Sequence, residues 1–287
     1  MLCIAPVTIQ NVKSKFSQKE FRYMDVPCGK CPACLTNRRN DWSLRLAIEL
    51  ENSYGAHFIT LTYNNDNIPE LVNEETGEIV QTVLKKDLQN YIKRLRKNSN
   101  EENLRYYAVG EYGTKTMRPH YHILLFNLPQ NKVDYITTCW NAKGFCKIGT
   151  ITPASIHYVT KYHVNKTNFP ESANPSFTLM SRKPGIGYHY VDKFKTFHQG
   201  NIDRAHITQL GGVKRRLPRY LKDKLYNKAE MSLIASKYEK MYEREEENKH
   251  LNHVINNPCK NFYELKEEEK LNYSRQFKNK INEKDTF

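Results

Sequence analysis

The sequence lacks the segments that membrane and secreted proteins carry. No apolar run approaches the roughly 20 residues of a membrane helix, and residues 1–20 hold no apolar core of a signal peptide. Acidic residues are also scarce relative to basic ones, since 31 Asp and Glu stand against 45 Lys and Arg, for a formal net charge of +14. We therefore expect a protein with no membrane partner that stays in the cytoplasm and binds polyanions, nucleic acid above all.

The chain is long enough for one large domain or two ordinary ones. Its 287 residues are 39% apolar, which suffices for a packed core. Seven cysteines, an odd number, favour reduced thiols and metal ligands over a disulfide framework.

Three cysteines crowd into one turn, Cys28-Gly29-Lys30-Cys31-Pro32-Ala33-Cys34. Turns with this spacing converge sulfurs on a tetrahedral ion, and Cys3 is the natural fourth ligand, so we predict a structural Zn²⁺. An iron–sulfur cluster is the alternative, although the continuation to a further cysteine and a proline is missing. A third alternative is a set of unliganded thiols. A helix from about Asn37 to Asn52, ended by Gly55, is expected to follow.

A histidine pair opens a buried strand at Pro119-His120-Tyr121-His122-Ile123-Leu124-Leu125-Phe126. Residues two apart on a strand point to the same side, so His120 and His122 share a face. The preceding strand, predicted over residues 105–113, carries Glu111. If the two strands form a hairpin in which Glu111 faces His120, the three side chains converge. Two imidazoles and a carboxylate with open positions suit Mg²⁺ or Mn²⁺; the alternative is a set of polar residues at a strand end.

A helix is predicted to begin at Pro153 and to continue through Asn165. In helical register Tyr158, Lys161 and Tyr162 line one side, which is unlike a core stripe. A tyrosine attacks phosphate well only if a metal or an ammonium favours the phenolate, and Lys161 is placed to help. The alternative is that each tyrosine anchors the helix on the sheet.

Three blocks occur in the order found in HUH endonucleases: Phe58-Ile59-Thr60-Leu61-Thr62-Tyr63, Pro119-His120-Tyr121-His122 and Tyr158-Val159-Thr160-Lys161-Tyr162. With Pro27-Cys28-Gly29-Lys30-Cys31 before them and Ser181-Arg182-Lys183-Pro184-Gly185-Ile186-Gly187 after them, they resemble the rolling-circle replication initiators of microviruses, in particular the gokushovirus type. The resemblance covers roughly residues 1–226.

The resemblance implies an α+β fold, a palm-like (RRM-like) antiparallel sheet flanked by helices. It also implies a metal-dependent nickase and strand-transferase for a single-stranded DNA origin. One tyrosine attacks the scissile phosphate, leaving a 5′-phosphotyrosine and a free 3′-hydroxyl, and the second tyrosine alternates with it. His120, His122 and Glu111 match the metal ligands of the family, and the implied partners are a host helicase and polymerase in a bacterial cytoplasm.

The rest of the chain offers candidate DNA contacts and a charged tail. Arg118 stands just before the histidine pair, and Lys214, Arg215 and Arg216 lie in a basic hairpin-like segment. Segments 64–77 and 170–184 are expected to be loops, with 185–187 a structural turn. We predict a Cys-rich element with a basic helix over 1–56, an endonuclease domain over 57–226 and a charged helical or disordered tail over 227–287.

Two other functions are compatible with the same residues. The first is an HUH transposase or plasmid initiator, which differs in the DNA hairpin that it cuts. The second is a zinc-stabilised nucleic-acid-binding protein without catalysis, in which the histidine pair is dispensable.

Overall fold

A computed structural model describes residues 3–10, 23–113, 115–161, 169–208, 212–256 and 261–282. The strands, in chain order, are β1 (Val7–Gln10), β2 (Tyr23–Val26), β3 (Ala56–Tyr63), β4 (Glu70–Val72), β5 (Ile79–Gln81), β6 (Arg105–Tyr112), β7 (Pro119–Phe126), β8 (Gly144–Thr150), β9 (Phe177–Met180), β10 (His206–Thr208) and β11 (Lys214–Arg216). The α-helices are α1 (Pro32–Glu51), α2 (Lys85–Ser99), α3 (Asp134–Thr138), α4 (Pro153–Thr160), α5 (His189–His198), α6 (Arg219–Leu225), α7 (Lys228–Asn256) and α8 (Phe262–Asn282).

The chain divides into two compact units. One comprises Met1–Asn40 together with Phe194–Phe287, and the other is Asp41–Lys193. These limits are drawn at other positions than the segments 1–56, 57–226 and 227–287, whose boundaries stay a prediction.

A five-stranded antiparallel sheet forms the centre of the unit Asp41–Lys193. Its strand order is β8-β3-β7-β6-β9, and each neighbouring pair is antiparallel. The predicted α+β class, an antiparallel sheet with helices, is thus confirmed. The expectation of a loop over 170–184 is wrong in part, because β9 within it pairs with β6 as an edge strand. Four residues are too few to show an alternating pattern, so the pairing is set by the rest of the sheet.

Each face of this sheet packs against its own helices. Tyr121 and Leu125 of β7 point to one face, where they join a core with residues of α2 and α3. Leu124 and Phe126 point to the other face, where they join a core with residues of α1 and α4. Because side chains alternate along a strand, His120 and His122 belong to the second face.

Helix α1 starts earlier than predicted. It begins at Pro32 rather than near Asn37, and the amide of Leu35 donates to the carbonyl of Cys31 at 3.0 Å. Proline is well tolerated at the first position of a helix, where its missing N–H needs no partner. The cysteine turn therefore runs directly into the helix, and Trp42, as predicted, is on the side that packs on the sheet.

Short hairpins and long helices account for the remaining elements. The expectation of a loop over 64–77 is wrong in part, because β4 pairs with β5 beyond it. β1 pairs with β2, and β10 pairs with β11. The described part of segment 227–287 is helical, as α7 and α8. In the described ranges, we find no helix that combines the length and apolarity of a membrane span.

Candidate active site and cysteine cluster

Strand register brings together the three predicted metal ligands. Glu111 on β6 lies directly opposite His120 on β7, which is the predicted pairing, and His122 lies opposite Thr60 on β3. Glu111 Oε1 is 3.2 Å from His120 Nε2 and 3.0 Å from His122 Nε2. The ligand atoms of the three residues all lie within 4.8 Å of one another, close enough to hold one ion.

The far nitrogens of the two imidazoles are occupied by oxygen atoms. His120 Nδ1 lies 3.0 Å from the carbonyl oxygen of Arg118, and His122 Nδ1 lies 3.0 Å from Thr60 Oγ1. A carbonyl only accepts, so Nδ1 of His120 carries the proton and Nε2 is the atom available to a metal. Such outer partners fix the tautomer and the ring orientation of metal-bound histidines. The ring of Phe58 also stacks on His122, with centroids 5.5 Å apart.

The donor set fits a divalent cation. With the proton of His120 on Nδ1, a neutral ring would turn its Nε2 lone pair toward the carboxylate of Glu111, which is unfavourable. Either a second proton or a cation has to stand between these two atoms. Glu111 is almost fully buried, at 1% exposure, so this carboxylate needs compensating charge.

The pKa shifts follow the same charges. Burial acts to raise the pKa of the Glu111 carboxyl, but its hydrogen bonds to His120 and His122 outweigh burial, and the pKa lies below the usual value. Burial acts to lower the pKa of His120, but Glu111 raises it overall. For His122 burial prevails, aided by the charges of His120 and Lys161, and its pKa is lowered.

Tyr158 reaches this centre from helix α4. A capping box between Thr152 and Ser155 starts the helix, with Pro153 in its first turn, as predicted. The Tyr158 hydroxyl donates to Glu111 Oε1 at 3.5 Å and lies 3.4 Å from His122 Nε2. The side chain is 37% exposed, so a substrate has access to it. Burial and then the Glu111 carboxylate raise the pKa of the phenol.

Lys161 ends the same helix, with Nζ 4.6 Å from the ring centroid of Tyr158. The structure thus brings Tyr158 and Lys161 to the three predicted ligands. Tyr162 lies outside the described residues.

The candidate DNA contacts are placed as follows. Arg118 donates to the carbonyl of Tyr63 at 2.7 Å and to Asn65 Oδ1 at 2.9 Å, so its guanidinium braces the end of β3. Lys214, Arg215 and Arg216 form β11 in the unit that contains the termini, and all three are exposed. A DNA contact by these four residues stays a prediction.

The four predicted cysteines also cluster. Cys3 Sγ lies 3.6 Å from Cys28 Sγ and 3.7 Å from Cys31 Sγ, and the four sulfurs, with that of Cys34, are within 4.8 Å of one another. Disulfide sulfurs would be about 2.05 Å apart. A tetrahedral zinc with Zn–S bonds of about 2.3 Å separates its sulfurs by about 3.8 Å, which matches.

Backbone amides around this cluster favour thiolates. The amide of Cys31 donates to Cys28 Sγ at 3.2 Å, and the amide of Cys28 donates to Cys3 Sγ at 3.3 Å. Burial opposes the shift at Cys31, but the amides of Cys34 and Ile4 lower its pKa to about 6.

Sequence reasoning missed Thr60 and the backbone of Arg118 as partners of the imidazoles. A signal for Thr60 was present, because hydroxyl side chains alternate with apolar ones along β3 and one side of a strand faces one site.

Comparison with known proteins agrees with this site. Residues 56–168 match the family of the replication-associated protein ORF2. The chain is 28% identical to "Replication-associated protein ORF2" of Spiroplasma virus 4, over 77% of this chain and 79% of the relative. It is 27% identical to "Replication-associated protein VP4" of Bdellovibrio phage phiMH2K, over 73% and 70%. It is 23% identical to "Replication-associated protein ORF4" of Chlamydia phage 1, over 72% and 55%.

Proposed function

Because the chain belongs to the replication-associated protein ORF2 family of phage replication proteins, we propose that it starts rolling-circle replication by nicking single-stranded origin DNA. The observation that carries this proposal is the convergence of the Tyr158 hydroxyl on the centre formed by Glu111, His120 and His122, within 3.5 Å of polar atoms of two of them. A nucleophile beside a buried, metal-competent donor set is the arrangement that phosphoryl transfer requires.

Glu111 Oε1 and the Nε2 atoms of His120 and His122 would hold Mg²⁺ or Mn²⁺. The carboxylate favours a hard cation, and two imidazoles accommodate Mn²⁺ as well. When bound, the ion supplies positive charge to the phosphate oxygens and to the phenol.

Tyr158 Oη would attack the scissile phosphorus and displace the O3′ atom. The Oη–P bond forms as the P–O3′ bond breaks, the phenol proton passes to solvent, and the departing oxygen takes a proton to become a free 3′-hydroxyl. Lys161 would stabilise the negative charge that develops beside the Tyr158 ring. Attack of a 3′-hydroxyl on the phosphotyrosine reverses these bond changes and rejoins the strand without a nucleotide cofactor.

Tyr162 is the proposed second nucleophile, in keeping with the resemblance to microvirus initiators. A host helicase would open the duplex and a host polymerase would extend the 3′-hydroxyl, in the cytoplasm of the bacterium. We further propose that the cluster of Cys3, Cys28, Cys31 and Cys34 holds a structural Zn²⁺, which the sulfur separations support.

Covalent capture tests the proposed function. Protein is incubated with a random-sequence single-stranded DNA library and Mn²⁺, denatured in SDS and separated by electrophoresis, and the attached DNA is sequenced. We expect a metal-dependent adduct that weakens in Tyr158→Phe or Tyr162→Phe and disappears in the double variant. Tyr135→Phe is the matched control, because Tyr135 is 39% exposed but belongs to α3 on the other face of the sheet.

Two results would contradict the proposal: no adduct from wild type, or an adduct that survives in the double variant. The first result is the one that a zinc-stabilised binding protein without catalysis would give.

A further inference from the structure

A second basic site lies at the end of the central sheet away from Glu111. A cavity of about 740 Å³ is lined there by Arg96, Tyr106, Arg182 and Lys183 among others. This size falls within the range of ligand pockets, roughly 300–1,000 Å³. Arg105 starts β6 and Glu111 is six residues further on, so the cavity lies about 20 Å from the candidate active site at about 3.3 Å per residue.

The charges in this cavity are unbalanced. Arg96, Arg182 and Lys183 are exposed, and Glu102 is the one acidic residue among the described residues that line the cavity. Arg105 also lines it, but its guanidinium is paired with the buried carboxylate of Glu49. Three cations held together against one acid repel one another, so an anionic ligand would relieve that repulsion.

The segment that presents Arg182 and Lys183 is held firmly in place. Arg45 Nε donates to the carbonyl of Ile186 at 2.9 Å, and the amide of Gly187 donates to Glu49 Oε2 at 2.7 Å. Gly187 has φ +77°, and an added Cβ would lie 2.9 Å from the carbonyl oxygen of Arg45, so only glycine fits. The turn 185–187 is structural, as expected, and its rigidity presets the positions of the two cations.

Aromatic rings accompany these cations. The Arg96 guanidinium lies 5.8 Å from the ring centroid of Tyr106, and the charges of Arg96 and Arg182 both oppose the burial that raises the pKa of that phenol. Tyr54, which is 61% exposed, also lines the cavity. Cations that contact phosphates, together with rings on which bases stack, are the usual composition of a single-strand binding surface.

We propose that this cavity binds a short stretch of single-stranded DNA, with Arg96, Arg182 and Lys183 on its phosphates and a base on Tyr54. The inference takes its ligand class from the proposed function, but it needs no cleavage. The cavity would hold the strand at a second point, away from the bond that is cut.

Salt-dependent binding tests this proposal. The affinity for a fluorescent oligothymidylate is measured over a range of salt concentrations, without divalent cations, for wild type and for Arg96→Ala/Arg182→Ala. Loss of two phosphate contacts is expected to reduce the slope of log K against log [salt] by about 1.4, at about 0.7 per contact. The matched control is Lys93→Ala/Lys97→Ala, which removes two exposed charges of the same helix that do not line the cavity. Equal slopes in the two double variants would overturn the proposal.

Further variants separate the ligand from folding and from catalysis. Arg182→Ala/Lys183→Ala changes only exposed side chains and should reproduce the loss of slope. Tyr54→Ala should weaken binding about 5- to 150-fold, as loss of one stacked base does. Deoxythymidine monophosphate should compete far more weakly than the oligonucleotide, and equal competition would mean a mononucleotide pocket instead. If covalent capture fails while the slope still changes, the nickase is refuted and this site stands.

Discussion

Replacement of Thr60 by valine should weaken metal binding without removing a ligand. Thr60 Oγ1 lies 3.0 Å from His122 Nδ1. A hydroxyl group rotates, so it can accept from a protonated Nδ1 or donate to an unprotonated one. A cation on Nε2 requires the proton on Nδ1, and Thr60 then accepts it. Valine has nearly the same shape and offers no such acceptor.

The size of the effect follows from burial. His122 is 8% exposed, so water does not readily replace the lost hydroxyl. A buried N–H without a partner costs about 1–3 kcal/mol. Removal of an outer partner of a metal-binding histidine typically costs about 10- to 100-fold in affinity, which is about 1.4–2.8 kcal/mol. The two ranges agree, and we expect Mn²⁺ affinity to fall by about 10- to 100-fold.

Isothermal titration of Mn²⁺ measures this change, and saturating Mn²⁺ should restore most of the adduct formation. Thr60→Ser keeps the hydroxyl and should stay close to wild type. Thr62→Val is the matched control, because Thr62 pairs with His120, whose Nδ1 donates to a backbone carbonyl instead. Wild-type Mn²⁺ affinity in Thr60→Val would refute the reasoning.

Three further predictions concern stability. Cys31→Ser should lower the bound zinc below one ion per chain and reduce the melting temperature, by metal analysis and thermal unfolding; an unchanged zinc content would contradict the cluster. Gly110→Ala should lower the free energy of unfolding by about 1–3 kcal/mol, because an added Cβ would lie 2.7 Å from a ring carbon of Phe177; urea unfolding measures this, and an unchanged midpoint speaks against it. Glu49→Gln should cost about 3–5 kcal/mol by leaving the Arg105 guanidinium buried without its counter-charge, and a loss below about 1 kcal/mol in the same urea assay would show that the pair is not needed.

Local patterns were enough to predict the centre of the site. Glu111 and His120 lie on neighbouring strands of a hairpin, so period-two alternation and a short connection fix their register. Tyr158 and Lys161 lie on one helix whose start is marked by Pro153, so helical spacing places them together. In both cases the information lies within about ten residues of sequence, which is why it can be read there.

Contacts between distant segments were beyond such reading. Thr60 and His122 are 62 residues apart, and their meeting depends on the pairing of β3 with β7 in the middle of the sheet. The edge strand β9 and the cavity lined by Arg96 and Arg182 likewise arise from segments far apart in sequence. Sequence periodicity assigns a residue to a face of its own element, whereas tertiary packing decides which faces meet.

One carboxylate oxygen connects metal binding with the nucleophile. Glu111 Oε1 is the atom that both imidazole Nε2 atoms and the Tyr158 hydroxyl approach. While its negative charge is uncompensated, it adds to burial in raising the pKa of the phenol and so disfavours the phenolate. A divalent cation on the same oxygen would reverse the sign of the local field at Tyr158. Metal affinity and nucleophile activation therefore depend on one atom, so a change at Glu111 alters both, whereas a change at Thr60 alters affinity alone. That difference makes the Thr60 variants the cleaner test of whether the cation is required for attack.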